Sequence, residues 1–113
     1  MHEMAMTEGV LRILEDQAKA QNYSKVRTVW LELGQLSHAD PEAMAFCFDA
    51  VVRGTLAEGA RLEIVRTPGE AWCMGCGETV AVAQRFDPCP RCGSHRLQVT
   101  KGDDMRIMEL EVE

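Results

Sequence analysis

Residues 73–93 read CMGCGETVAVAQRFDPCPRCG, and this stretch decides how the rest of the chain divides. Cys73 and Cys76 form one C-x-x-C pair, Cys89 and Cys92 form a second, and twelve residues separate the two. In each pair a glycine follows the second cysteine, a residue that tolerates the backbone angles of a tight turn. Two such turns complete a tetrahedral set of four thiolates, with metal bonds of about 2.3 Å and no position left open for a substrate. The spacing therefore predicts a closed structural metal site, and four independent thiols account for it poorly. Zinc suits the site, and so does iron in a rubredoxin-like centre, because the sequence does not separate the two metals in an all-sulfur tetrahedron.

Working outward, the composition changes on either side of this stretch. Between Pro68 and Thr100 stand four of the five cysteines and three of the four prolines. Three basic residues (Arg85, Arg91, Arg96) balance three acidic ones (Glu70, Glu78, Asp87), so the whole net charge of −6 lies elsewhere. A segment with so few large apolar side chains cannot stabilise itself by burial, and metal binding supplies the missing folding free energy. Residues 68–100 therefore read as a zinc-ribbon-like domain inserted into a host made of residues 1–67 and 101–113.

The host reads as α+β, two helices on a small sheet. Met6, Val10, Ile13, Leu14 and Ala18 recur at helical spacing from about Met4 to Gln21, with an end near Asn22. VRTVWLELGQL reads as a strand, with Val29, Leu31 and Leu33 alternating until Gly34. Asp40 before Pro41 is a strong helix start, and the pattern runs through EAMAFCFDAVVR to a stop at Gly54. Leu62 and Ile64 mark another strand. RIMELEVE alternates Met108, Leu110 and Val112 with three glutamates, the pattern of a half-buried antiparallel strand that closes the sheet.

Several function classes fall away on composition. At 113 residues, 46% apolar and 27% charged, the chain makes one or two small domains with a modest core. No stretch approaches the roughly 20 apolar residues of a membrane span, and the start lacks a secretory pattern. A cytoplasmic location is expected, where thiols stay reduced and paired cysteines bind metal instead of each other. The charge of −6 offers no basic stripe, which disfavours a zinc-ribbon interaction module that binds nucleic acid. No Ser/His/Asp set and no phosphate-cradling glycine loop points to an enzyme. Cys47, flanked by Phe46 and Phe48, reads as a core residue, and His38 as a solvated loop residue. His95 reads as a strand-edge imidazole first and as a supplementary metal contact second.

The opening MHE raises a separate question, because His2 and Glu3 precede the apolar stripe and have no evident packing duty. An α-amino group titrates near 7.7 to 8.0 and an imidazole near 6.5, so both present lone pairs at neutral pH. The amine of Met1, the backbone nitrogen of His2 and its ring form fused chelate rings, and the backbone nitrogen or the carboxylate of Glu3 fills a fourth corner. Such a nitrogen-rich, square-planar set suits Ni(II) or Cu(II). The first N–H groups of a helix have no intrahelical acceptor, so they can be recruited without breaking it. The plain alternative is a frayed terminus in which Glu3 complements the helix dipole.

MHEM, LELGQLSHADPEAMAFCFDAV, the double C-x-x-C and the final RIMELEVE together resemble the HypA/HybF family of hydrogenase nickel-insertion proteins, over nearly the whole chain. The resemblance implies a two-domain nickel metallochaperone. Ni(II), a transient cargo, would sit on Met1, His2 and Glu3, and structural Zn(II) on Cys73, Cys76, Cys89 and Cys92. It also implies work with the GTPase HypB and delivery to the large subunit of a [NiFe] hydrogenase. Oligomeric state stays open, a homodimer included.

Overall fold

In a computed structural model the structure describes residues 3–113. The chain runs α1 (Glu3–Gln21), β1 (Val26–Gly34), α2 (Pro41–Val51), β2 (Arg61–Thr67), β3 (Gly69–Cys73), β4 (Glu78–Val82), β5 (Leu97–Lys101) and β6 (Met105–Val112). Two three-stranded sheets form, ordered β2-β1-β6 and β4-β3-β5. Residue contacts gather into two compact units, one of Met1–Leu31, Ala39–Ile64 and Ile107–Glu113, the other of Glu32–His38 and Val65–Arg106. No helix among the described residues is long and apolar enough to cross a membrane.

In the first unit α1 ends as its sequence suggests, with Asn22 in the left-handed region at φ 58°. Its buried stripe is rotated from the expected one. Glu3, Thr7, Val10 and Leu14 are buried, while Ile13 is 47% exposed and Met6 and Ala18 are half-buried. Two polar residues can lie in this stripe because both are satisfied internally. The Thr7 hydroxyl donates to the Glu3 carbonyl at 2.9 Å, and the Glu3 carboxylate accepts the Asp40 N–H at 3.0 Å. Apolar periodicity cannot register burial of that kind.

The second helix starts as expected, with Asp40 Oδ1 accepting the Glu42 N–H at 3.0 Å and Pro41 at the first turn. It buries Met44 and Phe48 against α1, but it ends at Val51, three residues before Gly54. Gly54, at φ 76°, instead closes a short turn after the helix. Cys47 is only half-buried and Phe46 is 77% exposed, which corrects the expectation of a core cysteine. Both lie off the Met44/Phe48 face by helical geometry.

In β1, Val29, Leu31 and Leu33 are fully buried, as their alternation predicts. The final strand forms, but not with the expected face. Met108 and Val112 are exposed, and Met105, Ile107 and Leu110 are half-buried, so the alternation changes phase between Ile107 and Leu110. The glutamates beyond that point have partners on β1: Thr28 Oγ1 donates to Glu111 at 2.8 Å, and Arg27 pairs with Glu113 at 2.7 Å. The Lys25 and Glu113 backbones exchange hydrogen bonds, so β6 runs antiparallel to β1.

The second unit is built on β3. It pairs antiparallel with β4 (Trp72 opposite Thr79) and with β5 (Trp72 opposite Gln98). Ala71, Cys73, Val80 and Val82 are buried together with Cys89 and with Leu36, which arrives from the turn after β1. Three glycines from separate stretches of chain cross at its base. A Cβ on Gly34 would lie 2.0 Å from the Gly102 carbonyl oxygen, and one on Gly102 would lie 2.7 Å from the Gly69 Cα. Leu36 N–H donates to Gly102 O at 2.7 Å and Gly34 N–H to Asp104 O at 2.9 Å, so the crossing is hydrogen-bonded backbone against backbone.

Candidate metal centre

The β3–β4 hairpin supplies the first pair of thiols. Cys73 ends β3, the chain turns through Met74 and Gly75, and Gly77 N–H returns to Cys73 O at 2.8 Å with φ 66°. The second pair repeats the device: Gly93 N–H bonds Cys89 O at 2.9 Å with φ 74°. Each glycine takes a left-handed angle that a residue with a Cβ adopts only under strain. Two backbone bonds lock the turns into place, Cys89 N–H to Ser94 O at 2.8 Å and Met74 N–H to Arg96 O at 2.9 Å. Gly75 has a second reason to be glycine, since its Cβ would meet the Ser94 Cβ at 2.9 Å.

These turns bring the four sulfurs within 4.8 Å of one another. Cys73 Sγ lies 3.6 Å from Cys92 Sγ, and Cys76 Sγ 3.9 Å from Cys89 Sγ. A tetrahedron with metal–sulfur bonds of about 2.3 Å has sulfur–sulfur edges of about 3.8 Å, so the donor set fits a four-thiolate ion. Cys73 and Cys89 are buried, Cys76 is half-buried and Cys92 is exposed.

The protonation chemistry points the same way. Backbone N–H groups of Cys92, then of Arg91, aim at the Cys89 sulfur and pull its thiol down to about 7. Cys76 is pushed up to about 12, first by its hydrogen bond with Cys73 and then by burial. Four sulfurs this close ionise together only when a cation offsets their mutual repulsion, and a bound dication does so.

No other group of histidine, cysteine or acidic side chains gathers in this way among the described residues. His95 lies outside the four-sulfur group, lining a neighbouring cleft with Asp87 and Asp103. His38 is exposed, as its loop position suggests. Met1 and His2 lie outside the described residues, so of the amino-terminal trio only Glu3 is placed. It is 7% exposed, with its carboxylate on the Asp40 N–H. That contact was missed in the sequence, where Asp40 reads only as the cap of α2. The one available signal was an acidic residue four positions before Thr7, too common to single out.

A family model described as "Hydrogenase/urease nickel incorporation, metallochaperone, hypA" matches residues 1–112. The chain belongs to the HypA family. Its relatives are similar from end to end. A "Hydrogenase maturation factor HypA" of Azotobacter vinelandii is 59% identical over 113 residues, all of both chains, and one of Rhodopseudomonas palustris (strain BisA53) is 60% identical over the same span. The solution structure of the Ni metallochaperone HypA from Helicobacter pylori superposes with a TM-score of 0.74 at 25% identity, covering 99% of this chain and 97% of that one. The HypA fold, α+β with a four-cysteine metal site consistent with zinc, is therefore that of this chain.

Proposed function

We propose that the chain carries Ni(II) on its amino terminus and hands it to the large subunit of a [NiFe] hydrogenase in the cytoplasm, working with the GTPase HypB. The observation that carries the reading is the match to a nickel-incorporation family over residues 1–112. Met1, through its α-amine, His2 and Glu3 hold the cargo in this proposal. Glu3 serves through its backbone nitrogen, because its carboxylate is engaged by Asp40. Residues 1–67 with 101–113 form the nickel domain and 68–100 the zinc domain. His95 acts at most as an added contact during transfer.

Cys73, Cys76, Cys89 and Cys92 hold zinc in the same proposal. Zinc there supplies a closed, redox-inert brace. The chain's own part is to hold four thiolates in fixed turns and leave no open position, which suits structure and not catalysis.

The nickel set has the opposite character. Amine and imidazole ligands are exchanged singly and are lost on protonation, so nickel leaves as the pH falls through their titration range. Transfer is a succession of ligand exchanges with the acceptor, with no covalent bond to break.

The deciding experiment adds glycine-serine residues before Met1, turning the amine into an amide whose nitrogen binds metal only after losing a far less acidic proton. Severe loss of Ni(II) affinity with unchanged zinc content is expected in an equilibrium titration. Equal affinities would remove the amine from the site, and parallel loss in His95→Ala would move the site to that histidine. A visible thiolate band in the purified protein would favour the rubredoxin-like reading over zinc.

A further inference from the structure

The four thiols of the metal centre are not equally placed. Cys73 and Cys89 are buried, at 0% and 3% exposure, and Cys76 is half-buried, whereas Cys92 is exposed. Its neighbours Pro90, Arg91 and Gly93 are exposed as well, so the second turn carries Cys92 at the surface. Gly75, itself exposed, keeps one flank of that sulfur open, since a Cβ built there would lie 3.2 Å from Cys92 Sγ. Any side chain at residue 75 would stand against the sulfur.

The sulfurs also fall into two pairs, each joining one turn to the other. Cys92 Sγ lies 3.6 Å from Cys73 Sγ, and Cys76 Sγ lies 3.9 Å from Cys89 Sγ. Arg91 clasps the second pair: its N–H donates to Cys89 Sγ at 3.4 Å, and its guanidinium pairs with Glu78, which starts β4 just past Cys76. In the first pair an accessible sulfur stands beside a buried one. That is the arrangement of an attacked thiol and a resolving thiol.

We propose that Cys92 is an oxidation site through which hydrogen peroxide opens the metal centre, with Cys73 as the resolving thiol. Zinc is redox-inert, but the thiolates that bind it are the nucleophilic form of cysteine. The Cys92 thiolate attacks one peroxide oxygen; the S–O bond forms as the O–O bond breaks, leaving Cys92 as sulfenic acid and releasing hydroxide. The Cys73 thiolate then attacks the Cys92 sulfur, and the new S–S bond displaces a second hydroxide. Both hydroxides take protons from solvent and become water, so two electrons pass from two sulfurs to one peroxide. Cys76 and Cys89 remain, half the ligand set of a closed zinc site, and the metal is lost. The second unit then loses the folding free energy that metal supplied. A dithiol reductant together with zinc restores the site. This inference rests on the reading of the four cysteines as a zinc site and names its regulation.

The test treats the full zinc-loaded chain with hydrogen peroxide beside a chromogenic zinc chelator, then maps disulfides by mass spectrometry of an unreduced digest. About one zinc should be released per peroxide consumed, with a disulfide joining Cys73 to Cys92, and dithiothreitol plus zinc should restore the starting state. With dimedone present at low peroxide, the first sulfenic-acid adduct should fall on Cys92. Cys92→His keeps a fourth metal ligand that is not a thiolate and should slow release roughly tenfold. Cys47→Ala should leave the release unchanged. Zinc absent from the untreated chain would overturn the zinc reading and this inference with it. Zinc present but released with the first adduct at another cysteine, or with a different disulfide, would overturn the inference alone. So would release from Cys92→His at the rate of the unsubstituted chain. The dimedone mapping uses the unsubstituted chain, so it decides even where Cys92→His holds no zinc.

Discussion

The carboxylate of Glu3, at the first turn of α1, accepts the backbone N–H of Asp40, the cap of α2, at 3.0 Å. One side chain thus joins the starts of both helices. Glu3→Ala would remove the acceptor of that part-buried N–H, and it should lower stability by about 1 kcal/mol, the usual net worth of one hydrogen bond. Glu3→Gln keeps an accepting oxygen and should lose well under half as much. Urea titration of the two variants checks this, and equal losses would show that the charge matters more than the bond.

Zinc should be present at about one per chain, from the closed four-thiolate geometry. Cys73→Ser should release it and loosen residues 65–106, while Cys47→Ala should keep it. Metal analysis and hydrogen exchange of the second unit decide the matter. A fully protected unit without metal would contradict the account.

Leu36 should matter to zinc although it stands more than thirty residues before Cys73, the first cysteine of the cluster. It is 2% exposed and packs in the cluster that holds Cys73 and Cys89. Leu36→Ala should cost about 2–5 kcal/mol and speed zinc loss to a competing chelator. Unchanged chelation kinetics would show that the turns hold their metal without that support.

Gly9 lies inside α1, and an added Cβ there meets nothing within 4 Å. Gly9→Ala should therefore raise stability by about 1 kcal/mol, the difference in helix propensity. Thermal or urea unfolding reads the gain, and a loss would expose a crowding absent from the structure.

Acid should weaken two specific contacts. Glu32 is held below its ordinary value of 4.5 by Arg106, then by Thr67, and Glu113 by Arg27. A depressed carboxyl contributes stability that is full above the unfolded value and is lost as pH falls through the folded one. Arg27, Glu113 and Arg106 are exposed and Glu32 is half-buried, so each effect is small. Arg27→Met with Arg106→Met should flatten the decline of stability below about pH 5, where carboxyl groups begin to take up protons. An unaltered slope would assign the decline to other groups.

The legible part of this protein is the part governed by local chemistry. Asp40-Pro41 and Asn22 mark helix ends through their own side chains and backbone angles, and the cysteine pairs state their geometry by spacing. What escaped depends on distant partners. Ile13 looks like core and is exposed, while Thr7 looks like surface and is buried, because a hydroxyl bond to Glu3 O permits it. The β3-β4-β5 sheet left a trace in the alternation of Val80 with Val82 and of Leu97 with Val99, but short strands between metal turns carry little periodic signal. Nothing local marks Leu36 as a member of the cysteine cluster.

The crossing of Gly34, Gly69 and Gly102 bears on how this family member can tolerate genetic change. A side chain added at Gly34 strikes the Gly102 carbonyl and one added at Gly102 strikes the Gly69 Cα, main-chain atoms of residues that already have no side chain to shorten. A damaging substitution there has no compensating substitution at the residue it strikes. Repair would require moving whole segments of backbone that are hydrogen-bonded to one another. Revertants selected from alanine variants at Gly34 and Gly102 should be true reversions, with second-site suppressors rare or absent.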